Sequence, residues 1–327
     1  MKASNYDQLN QTAPPNCPLC GSINVLSKTR IDTGSIAEIY GKGQQELVRQ
    51  GFQGTSWINV YHCQNCFLLF FEPKISGSPA FYKSMQSYEW YYQKDKAEYK
   101  MAQKWIPLNA RVLEVGCGAG WFAKKLSTPQ YTGLEYSESA IEAARADGLD
   151  VRVQSVQEHS LANPLAYQIV CAFQVLEHVP DPASFIAACL DCLEPDGLLI
   201  YAVPSNDSYL QFLQNDAFGL PPHHLTRWPD KALEAIPKLF PVSLVSIEHE
   251  ILSDTHLTQC VSTMIARRLE LLFGRGETMV DRSVGARLLT RCARALAGCI
   301  LPIFNDTVFR PRGHTVIATY RKLMPAD

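Results

Sequence analysis

The sequence has little of what marks membrane, fibrous or nucleic-acid-binding proteins. It lacks a long hydrophobic run, because the most apolar stretch, residues 295–304, is about half of the ~20 residues that a membrane-spanning helix needs. It also lacks an excess of charge of one sign, since 30 basic residues face 32 acidic ones and the formal net charge is −2. No global attraction to phosphate backbones or anionic membranes follows from this balance, so we expect no nucleic-acid partner.

An apolar segment is also missing from the first 16 residues, so we expect no secretory signal and a cytoplasmic location. Low-complexity tracts and internal repeats are absent. With 46% hydrophobic residues, 19 glycines and 20 prolines, the chain has the composition of an ordinary globular protein. Its 327 residues suffice for one large or two ordinary domains.

Four of the 11 cysteines form two Cys-x2-Cys pairs, Cys17 with Cys20 and Cys63 with Cys66. Four thiolates in such pairs are the ligand set that a structural Zn²⁺ prefers, so they predict a closed zinc site that stabilises folding. The first pair, with proline inside and glycine after it, resembles a zinc ribbon. The 42 intervening residues exceed the ~15–20 of a compact ribbon and predict an insertion. A redox pair or two unrelated turns remain alternatives.

From residue 111 onward, short apolar runs alternate with helical stretches. The predicted strands are 111–115, 131–135, 151–154, 167–173 and 197–203, and the predicted helices between them include 121–127, 139–147 and 182–193. This rhythm predicts an α/β fold with a mostly parallel sheet and helices on both faces. Two later strand-like segments, 242–251 and 314–322, predict an antiparallel pair.

The remaining segments set the predicted domain organisation. The cysteine pairs lie in a segment that is rich in Gly, Ser, Thr and Gln and predicts short strands and turns. An aromatic, helical stretch follows over 81–105, so we predict a small N-terminal zinc-ribbon-like β domain at 1–79 and a second domain at 80–327. An insertion of two amphipathic helices is expected at about 256–305 in the second domain.

The strongest chemical signal is the run Val-Leu-Glu-Val-Gly-Cys-Gly-Ala-Gly at 112–120. A strand ending in glycines lets a ligand approach the backbone closely. A dinucleotide-binding fingerprint requires glycine at position 121, where this chain has Trp121, so NAD fits poorly. Glu135 ends the second predicted strand, where a carboxylate can hold both ribose hydroxyls of a nucleoside.

The G-x-G-x-G spacing, preceded by Glu114, resembles motif I of class I S-adenosylmethionine-dependent methyltransferases. The stretch Phe-Gln-Val-Leu-Glu-His-Val-Pro-Asp-Pro at 173–182 is similar to the Leu-Glu-His motif of their small-molecule branch. This resemblance covers about 81–250 and the terminal strand. It implies a Rossmann-like seven-stranded sheet, S-adenosylmethionine as cofactor, and an enzyme that methylates a small-molecule acceptor such as a sugar, natural product or lipid-linked metabolite. A four-cysteine domain ahead of such a core resembles some sugar and natural-product methyltransferases.

The resemblance also implies roles for individual residues. Those expected to contact the cofactor are Glu114, Gly116, Cys117, Gly118, Gly120, Glu135, Tyr136, Ser155, Val156 and Gln174. Three histidines are candidate catalytic bases, namely His178 in the Leu-Glu-His motif and the pair His223 and His224 after two prolines. A hydrogen-bonded scaffold role is the alternative for each histidine.

Other interpretations of the sequence remain open. Seven arginines between 267 and 294 predict either a peripheral contact with anionic lipid or helices that cover a core or a homodimer seam. The aromatic run 88–92 predicts a lid over the cofactor or a core segment. For the whole chain, the alternatives are a zinc-ribbon methyltransferase that acts on RNA or protein, and a core that binds the cofactor without turnover.

Overall fold

The computed structural model of the chain describes residues 14–85, 88, 94–305 and 310–324. Its N-terminal part contains strands β1 (Val25–Asp32), β2 (Trp57–Cys63) and β3 (Leu69–Glu72) and helices α1 (Thr33–Ile39), α2 (Lys42–Gly51) and α3 (Pro79–Met85). The strands pair in an antiparallel manner, β1 with β2 and β2 with β3. The sequence predicted only strands and turns here, but α1 and α2 occupy the insertion between the cysteine pairs. Asp32 starts α1 as its N-cap, accepting a hydrogen bond from the Ser35 N–H at 2.7 Å.

The larger part of the chain forms an α/β unit. Its first elements are α4 (Ala97–Gln103), β4 (Val112–Val115), β5 (Tyr131–Leu134), α5 (Glu138–Ala146), β6 (Asp150–Arg152), α6 (Val156–Ala162), β7 (Tyr167–Phe173), α7 (Pro182–Cys192) and β8 (Leu193–Pro204). They are followed by β9 (Thr226–Arg227), α8 (Asp230–Ala235), β10 (Val242–Ile251), α9 (Asp254–Leu272), α10 (Val284–Ile300) and β11 (Arg312–Lys322).

Seven of these strands form one sheet in the order β10-β11-β8-β7-β4-β5-β6. The pairs from β8 to β6 are parallel, and β11 pairs antiparallel with both β8 and β10. The predicted fold class, a mostly parallel seven-stranded α/β sheet ending in an antiparallel pair, is therefore confirmed. All four residues of β4 and of β5 are buried, as expected for parallel strands with helices on both faces.

The fold differs locally from the sequence predictions. The helix predicted at 121–127 is only a 3-10 turn, Ala123–Lys125, after which Leu126 is extended. Helix α7 ends at Cys192 and β8 begins directly after it, so the strand starts at Leu193, four residues before the predicted start at 197. The predicted aromatic run 88–92 falls largely outside the described residues.

The two sheets are joined by strand β9. It pairs antiparallel with β3, so the N-terminal sheet has the order β1-β2-β3-β9 and takes its last strand from the α/β unit. The Tyr40 hydroxyl also donates to the Ala217 carbonyl at 2.6 Å. Phe70 and Phe71 of β3 are fully buried. The N-terminal sheet is thus packed onto the α/β unit, while the predicted boundary at 79/80 stays a prediction.

Helices α9 and α10 are inserted between β10 and β11, close to the predicted range 256–305. They share an apolar cluster that includes Leu257, Cys260 and Ala297. In the described ranges, no helix combines the length and the apolar character needed to cross a bilayer.

Candidate functional site

The glycine loop after β4 has a backbone conformation that favours glycine. Gly116, Gly118 and Gly120 have φ angles of 73°, 53° and 71°, in the left-handed region. A Cβ on Gly116 would lie 2.5 Å from Cγ2 of Val175, and one on Gly120 would lie 2.2 Å from Cδ1 of Leu149. Side chains are therefore excluded at positions 116 and 120 by both conformation and space.

Glu135 lies directly against this loop. Its Oε2 accepts a hydrogen bond from the Gly118 N–H at 2.8 Å, and its Oε1 accepts from the N–H groups of Tyr136 and Ser137, each at 2.8 Å. A carboxylate offers about four acceptor positions, so these three bonds leave acceptor capacity at Oε2. The acidic end of β5 and the glycine loop of β4 are thus in direct contact, as the sequence predicted.

Glu114 and Cys117 point away from the loop surface. Glu114 is buried and accepts a hydrogen bond from the Tyr131 hydroxyl at 2.6 Å. Burial raises the pKa of this carboxyl to about 8. The buried Cys117 side chain packs on Gly133, where a Cβ would lie 2.5 Å from its sulfur. Cys117 therefore presents backbone rather than its thiol to the loop surface, and Tyr131 is a supporting residue that sequence reasoning missed.

Tyr136, Ser155 and Val156, which the sequence predicts to contact the cofactor, follow β5 and β6 at the same sheet edge. Tyr136 is 64% exposed, whereas Val156 is buried. Ser155 is the N-cap of α6 and forms a capping box with Glu158, accepting from the Glu158 N–H at 3.1 Å. The Ser155 hydroxyl is thus engaged in the cap, so its side chain has a structural task at this position.

Gln174 follows β7 with a φ of 58°, an uncommon conformation for a non-glycine residue. Its backbone N–H donates to the Ala202 carbonyl at 2.8 Å. Its side-chain amide lies 3.4 Å from both the Glu98 carboxylate and the Thr315 hydroxyl, so it connects α4 with β11. Val175, the next residue, contacts Gly116 and brings the end of β7 to the glycine loop.

The three predicted histidines are brought together in one cluster. The ring centroids of His178 and His223 are 4.6 Å apart, and those of His178 and His224 are 4.8 Å apart. His178 belongs to the 3-10 turn after β7, and the pair precedes β9. The Leu225 N–H donates to the Glu177 carbonyl at 2.8 Å, which holds the two segments together.

Hydrogen bonds fix two of these rings. Nδ1 of His178 donates to the His223 carbonyl at 2.6 Å, and Nδ1 of His223 donates to the Phe218 carbonyl at 2.9 Å. A neutral ring with a proton on Nδ1 carries its lone pair on Nε2. Burial lowers the pKa of His178 to about 4 and that of His223 to about 3, and it lowers the pKa of His224 well below its usual value.

Glu177 is a fourth member of this cluster that sequence reasoning did not single out. Its Oε1 lies 3.9 Å from Nε2 of both His178 and His224, and its side chain is only 2% exposed. Burial raises the pKa of this carboxyl to about 8. The sequence did contain a signal for Glu177, since it is the middle residue of the Leu-Glu-His motif. The proximity of Glu177 to His224, however, depends on the tertiary fold.

The four predicted zinc cysteines also lie together. Their sulfurs are all within 4.8 Å of one another, with 3.4 Å between Cys17 and Cys66 and 3.5 Å between Cys20 and Cys63. These separations are too long for a disulfide bond. They are close to the ~3.8 Å expected between sulfurs that surround zinc tetrahedrally at ~2.3 Å. The donor set therefore fits a structural zinc ion.

The two Cys-x2-Cys pairs form the same kind of turn. The residues that follow them, Gly21 and Phe67, have φ angles of 70° and 62°. Each donates its backbone N–H to the carbonyl of the first cysteine of its pair, Gly21 to Cys17 at 2.9 Å and Phe67 to Cys63 at 3.0 Å. A left-handed phenylalanine is uncommon, so the second turn is held by its surroundings rather than by local preference.

Comparisons with known proteins find relatives of the part of the chain that forms the α/β unit. Residues 89–245 match the family model described as a methyltransferase domain. Over 99 residues the chain is 36% identical to a ubiquinone biosynthesis O-methyltransferase of Serratia proteamaculans, covering 28% of this chain and 41% of that protein. Over 110 residues it is 36% identical to the protein of the same name from Vibrio cholerae, covering 31% of this chain and 45% of the relative. The chain thus matches less than half the length of these curated relatives.

Among solved structures, a SAM-dependent methyltransferase from Archaeoglobus fulgidus aligns with a TM-score of 0.48 and 16% identity, covering 74% of this chain and all of that chain. Residues 89–245, which contain the parallel strands β4 to β8, are thus similar to a methyltransferase domain, and the relatives support an S-adenosylmethionine-dependent enzyme. This agrees with the class of enzyme that the sequence motifs indicated.

Proposed function

We propose that this chain transfers a methyl group from S-adenosylmethionine to a small-molecule acceptor by in-line displacement. The observation that carries the proposal is the contact of the Glu135 carboxylate with the Gly118 N–H, which joins an acidic strand end to the glycine loop. The names of the curated relatives support a small acceptor and point to a hydroxyl oxygen as the methylated atom.

The loop and its neighbours fit the cofactor by their chemistry. Gly116 and Gly118 would present backbone to the methionine part, and the acceptor capacity of Glu135 would receive ribose hydroxyls. The exposed Tyr136 and the start of α6 at Ser155 and Val156 would flank adenine. When bound, S-adenosylmethionine supplies an electrophilic methyl group, so the protein's main task is to orient the acceptor and exclude water.

A base is useful if the acceptor is a hydroxyl, and His178, His223 and His224 remain the candidates. They lie at the carboxyl edge of the sheet, since the turn that holds His178 follows Val175, which contacts the glycine loop. Burial weakens this assignment, because a histidine whose pKa is about 4 is a poor proton acceptor at neutral pH. The base role therefore stays a prediction that substitution has to test.

In the N-terminal sheet, we infer a structural Zn²⁺ held by Cys17, Cys20, Cys63 and Cys66. Support comes from the four clustered sulfurs and from the matching turns that present them. With all four positions of the ion taken by thiolates, such a site stabilises folding and leaves no open position for chemistry. The helical insertion exposes several apolar residues, among them Leu271, Leu272 and Phe273. A peripheral membrane contact or a homodimer seam at this insertion therefore stays a prediction.

Calorimetry with S-adenosylmethionine and S-adenosylhomocysteine tests the cofactor assignment. We expect wild type to bind both, and Glu135→Gln to weaken binding by about 10–100-fold, because charge-assisted hydrogen bonds contribute about 1.5–3 kcal/mol each. Glu138→Gln is the matched control, since Glu138 is exposed three residues further on in α5. Failure of wild type to bind either compound would reject the proposal.

The acceptor class requires a separate measurement. We expect wild type to form S-adenosylhomocysteine with hydroxylated small molecules, such as phenols or sugars, and not with RNA or protein substrates. Turnover with RNA or protein alone would favour the alternative of a zinc-ribbon enzyme that acts on a macromolecule. Cofactor binding without turnover on any acceptor would favour a binding module.

A further inference from the structure

The cluster of His178, His223, His224 and Glu177 has the composition of a metal site as well as that of a proton-transfer site. One ring nitrogen of each histidine lies within 4.8 Å of one ring nitrogen of each of the other two. We propose that these four side chains bind a divalent transition-metal ion of the zinc type, at a site separate from the four cysteines.

The orientation of the rings is the first argument. Histidines that bind metals usually donate their second ring N–H to a carbonyl or carboxylate, which fixes the tautomer and aims the other nitrogen at the ion. His178 and His223 both do this, through Nδ1, to the backbone carbonyls of His223 and Phe218. In the neutral rings, the lone pair lies on Nε2.

Glu177 is the second, independent argument. Its side chain is 98% buried and neither carboxylate oxygen has a hydrogen-bond partner within the part of the chain that the structure describes. Burying a carboxyl group without a partner is costly, so such a group calls for a ligand. The 3.9 Å from its Oε1 to Nε2 of His178 and of His224 is too long for a hydrogen bond, but an ion between these atoms would contact all three.

The donor types indicate which ion fits. Three imidazole nitrogens and one carboxylate oxygen suit Zn²⁺ and related ions such as Co²⁺, whereas Mg²⁺ and Ca²⁺ prefer oxygen ligands. Ligand atoms around a tetrahedral ion at ~2.1 Å are ~3.4 Å apart, so the three ring nitrogens need to close by at most about 1.4 Å, and Oε1 of Glu177 by about 0.5 Å toward His178 and His224. Torsions of the side chains alone can supply this shift.

This proposal does not rest on methyltransferase activity, and it assigns the histidines differently. Lone pairs that bind an ion are not available to accept a proton, so the three rings would hold a metal instead of acting as bases. The ion would lie near the glycine loop, because the Leu176–His178 turn follows Val175, whose side chain contacts Gly116.

Metal titration of the full chain after removal of metals tests the proposal. We expect wild type to bind one more equivalent of Co²⁺ or Zn²⁺ than the double variant His223→Gln/His224→Gln. In the Co²⁺ form, the extra equivalent should lack the sulfur-to-metal charge-transfer band of a thiolate site. Glu177→Gln should weaken this site by at least the ~10–100-fold that loss of an outer partner costs. His249→Gln is the matched control, since its side chain is 11% exposed, against 12% for His224.

Because the difference between wild type and variant is measured, the result is independent of whether the cysteines bind zinc. Equal metal content in wild type and the double variant would overturn the proposal. Should the variants fail to fold, anomalous scattering from zinc-soaked crystals of wild type decides alone. A zinc peak within bonding distance of the three rings supports the site, and density without a zinc peak there rejects it.

Discussion

Gly120→Ala is the substitution for which the structure gives the clearest magnitude. The φ of 71° at Gly120 costs an alanine about 1–2 kcal/mol relative to glycine. Its Cβ would also lie 2.2 Å from Cδ1 of Leu149, and overpacking of this kind costs about 1–3 kcal/mol. We therefore expect the free energy of unfolding to fall by about 2–5 kcal/mol, a large share of the ~5–15 kcal/mol of a typical domain.

Two further variants separate these contributions. Gly148 has a φ of 81° and no atom within 4 Å of an added Cβ, so Gly148→Ala should cost only the conformational ~1–2 kcal/mol. The double variant Gly120→Ala/Leu149→Ala should be more stable than the sum of the single variants predicts, by about 1–3 kcal/mol. Urea unfolding followed by circular dichroism measures wild type, the single variants Gly120→Ala, Gly148→Ala and Leu149→Ala, and the double variant. Equal costs at positions 120 and 148, without coupling to Leu149, would refute the described packing beneath the loop.

Two other predictions follow from buried titratable and thiol groups. Burial raises the pKa of Glu114 to about 8, from a usual value near 4.5, so the folded state retains a proton that the unfolded state releases. Glu114 should thereby account for about 3–5 kcal/mol of the stability that wild type loses as the pH rises from about 4.5 to 8. Glu114→Gln should therefore lose about that much less than wild type, and parallel slopes in urea midpoints would contradict this. Cys17→Ser should remove about one zinc per chain, and a chelator should lower the Tm of wild type by more than that of this variant.

Much of the core could be predicted from the sequence because its signals are local. Buried parallel strands appear as short apolar runs, and the predicted strand 167–173 agrees with β7 as observed. The contact of Glu135 with the glycine loop follows from topology, since neighbouring parallel strands bring their carboxyl ends to one edge. The clustering of Cys17 and Cys20 with Cys63 and Cys66 followed from the paired spacing alone.

Features that depend on distant segments were not predictable in the same way. Strand β9 has two residues, too few for a periodic signal, and it exists because β3 provides a pairing edge. Glu177 and His224 are far apart in the sequence, and only the fold places them 3.9 Å apart. Helix α1 is a different case, because the Asp32 N-cap before it was a readable local signal.

The pairing of β3 with β9 also connects the four-cysteine cluster to the α/β unit. Strand β3 begins three residues after Cys66, and β9 begins two residues after His224. The Phe71 N–H donates to the Leu225 carbonyl at 3.1 Å. The residue that follows His223 and His224 is therefore hydrogen-bonded to the N-terminal sheet. Order in the four-cysteine cluster is therefore transmitted through two short strands to His223 and His224. We therefore propose that the N-terminal sheet supports the segment of His223 and His224, rather than acting as an independent module.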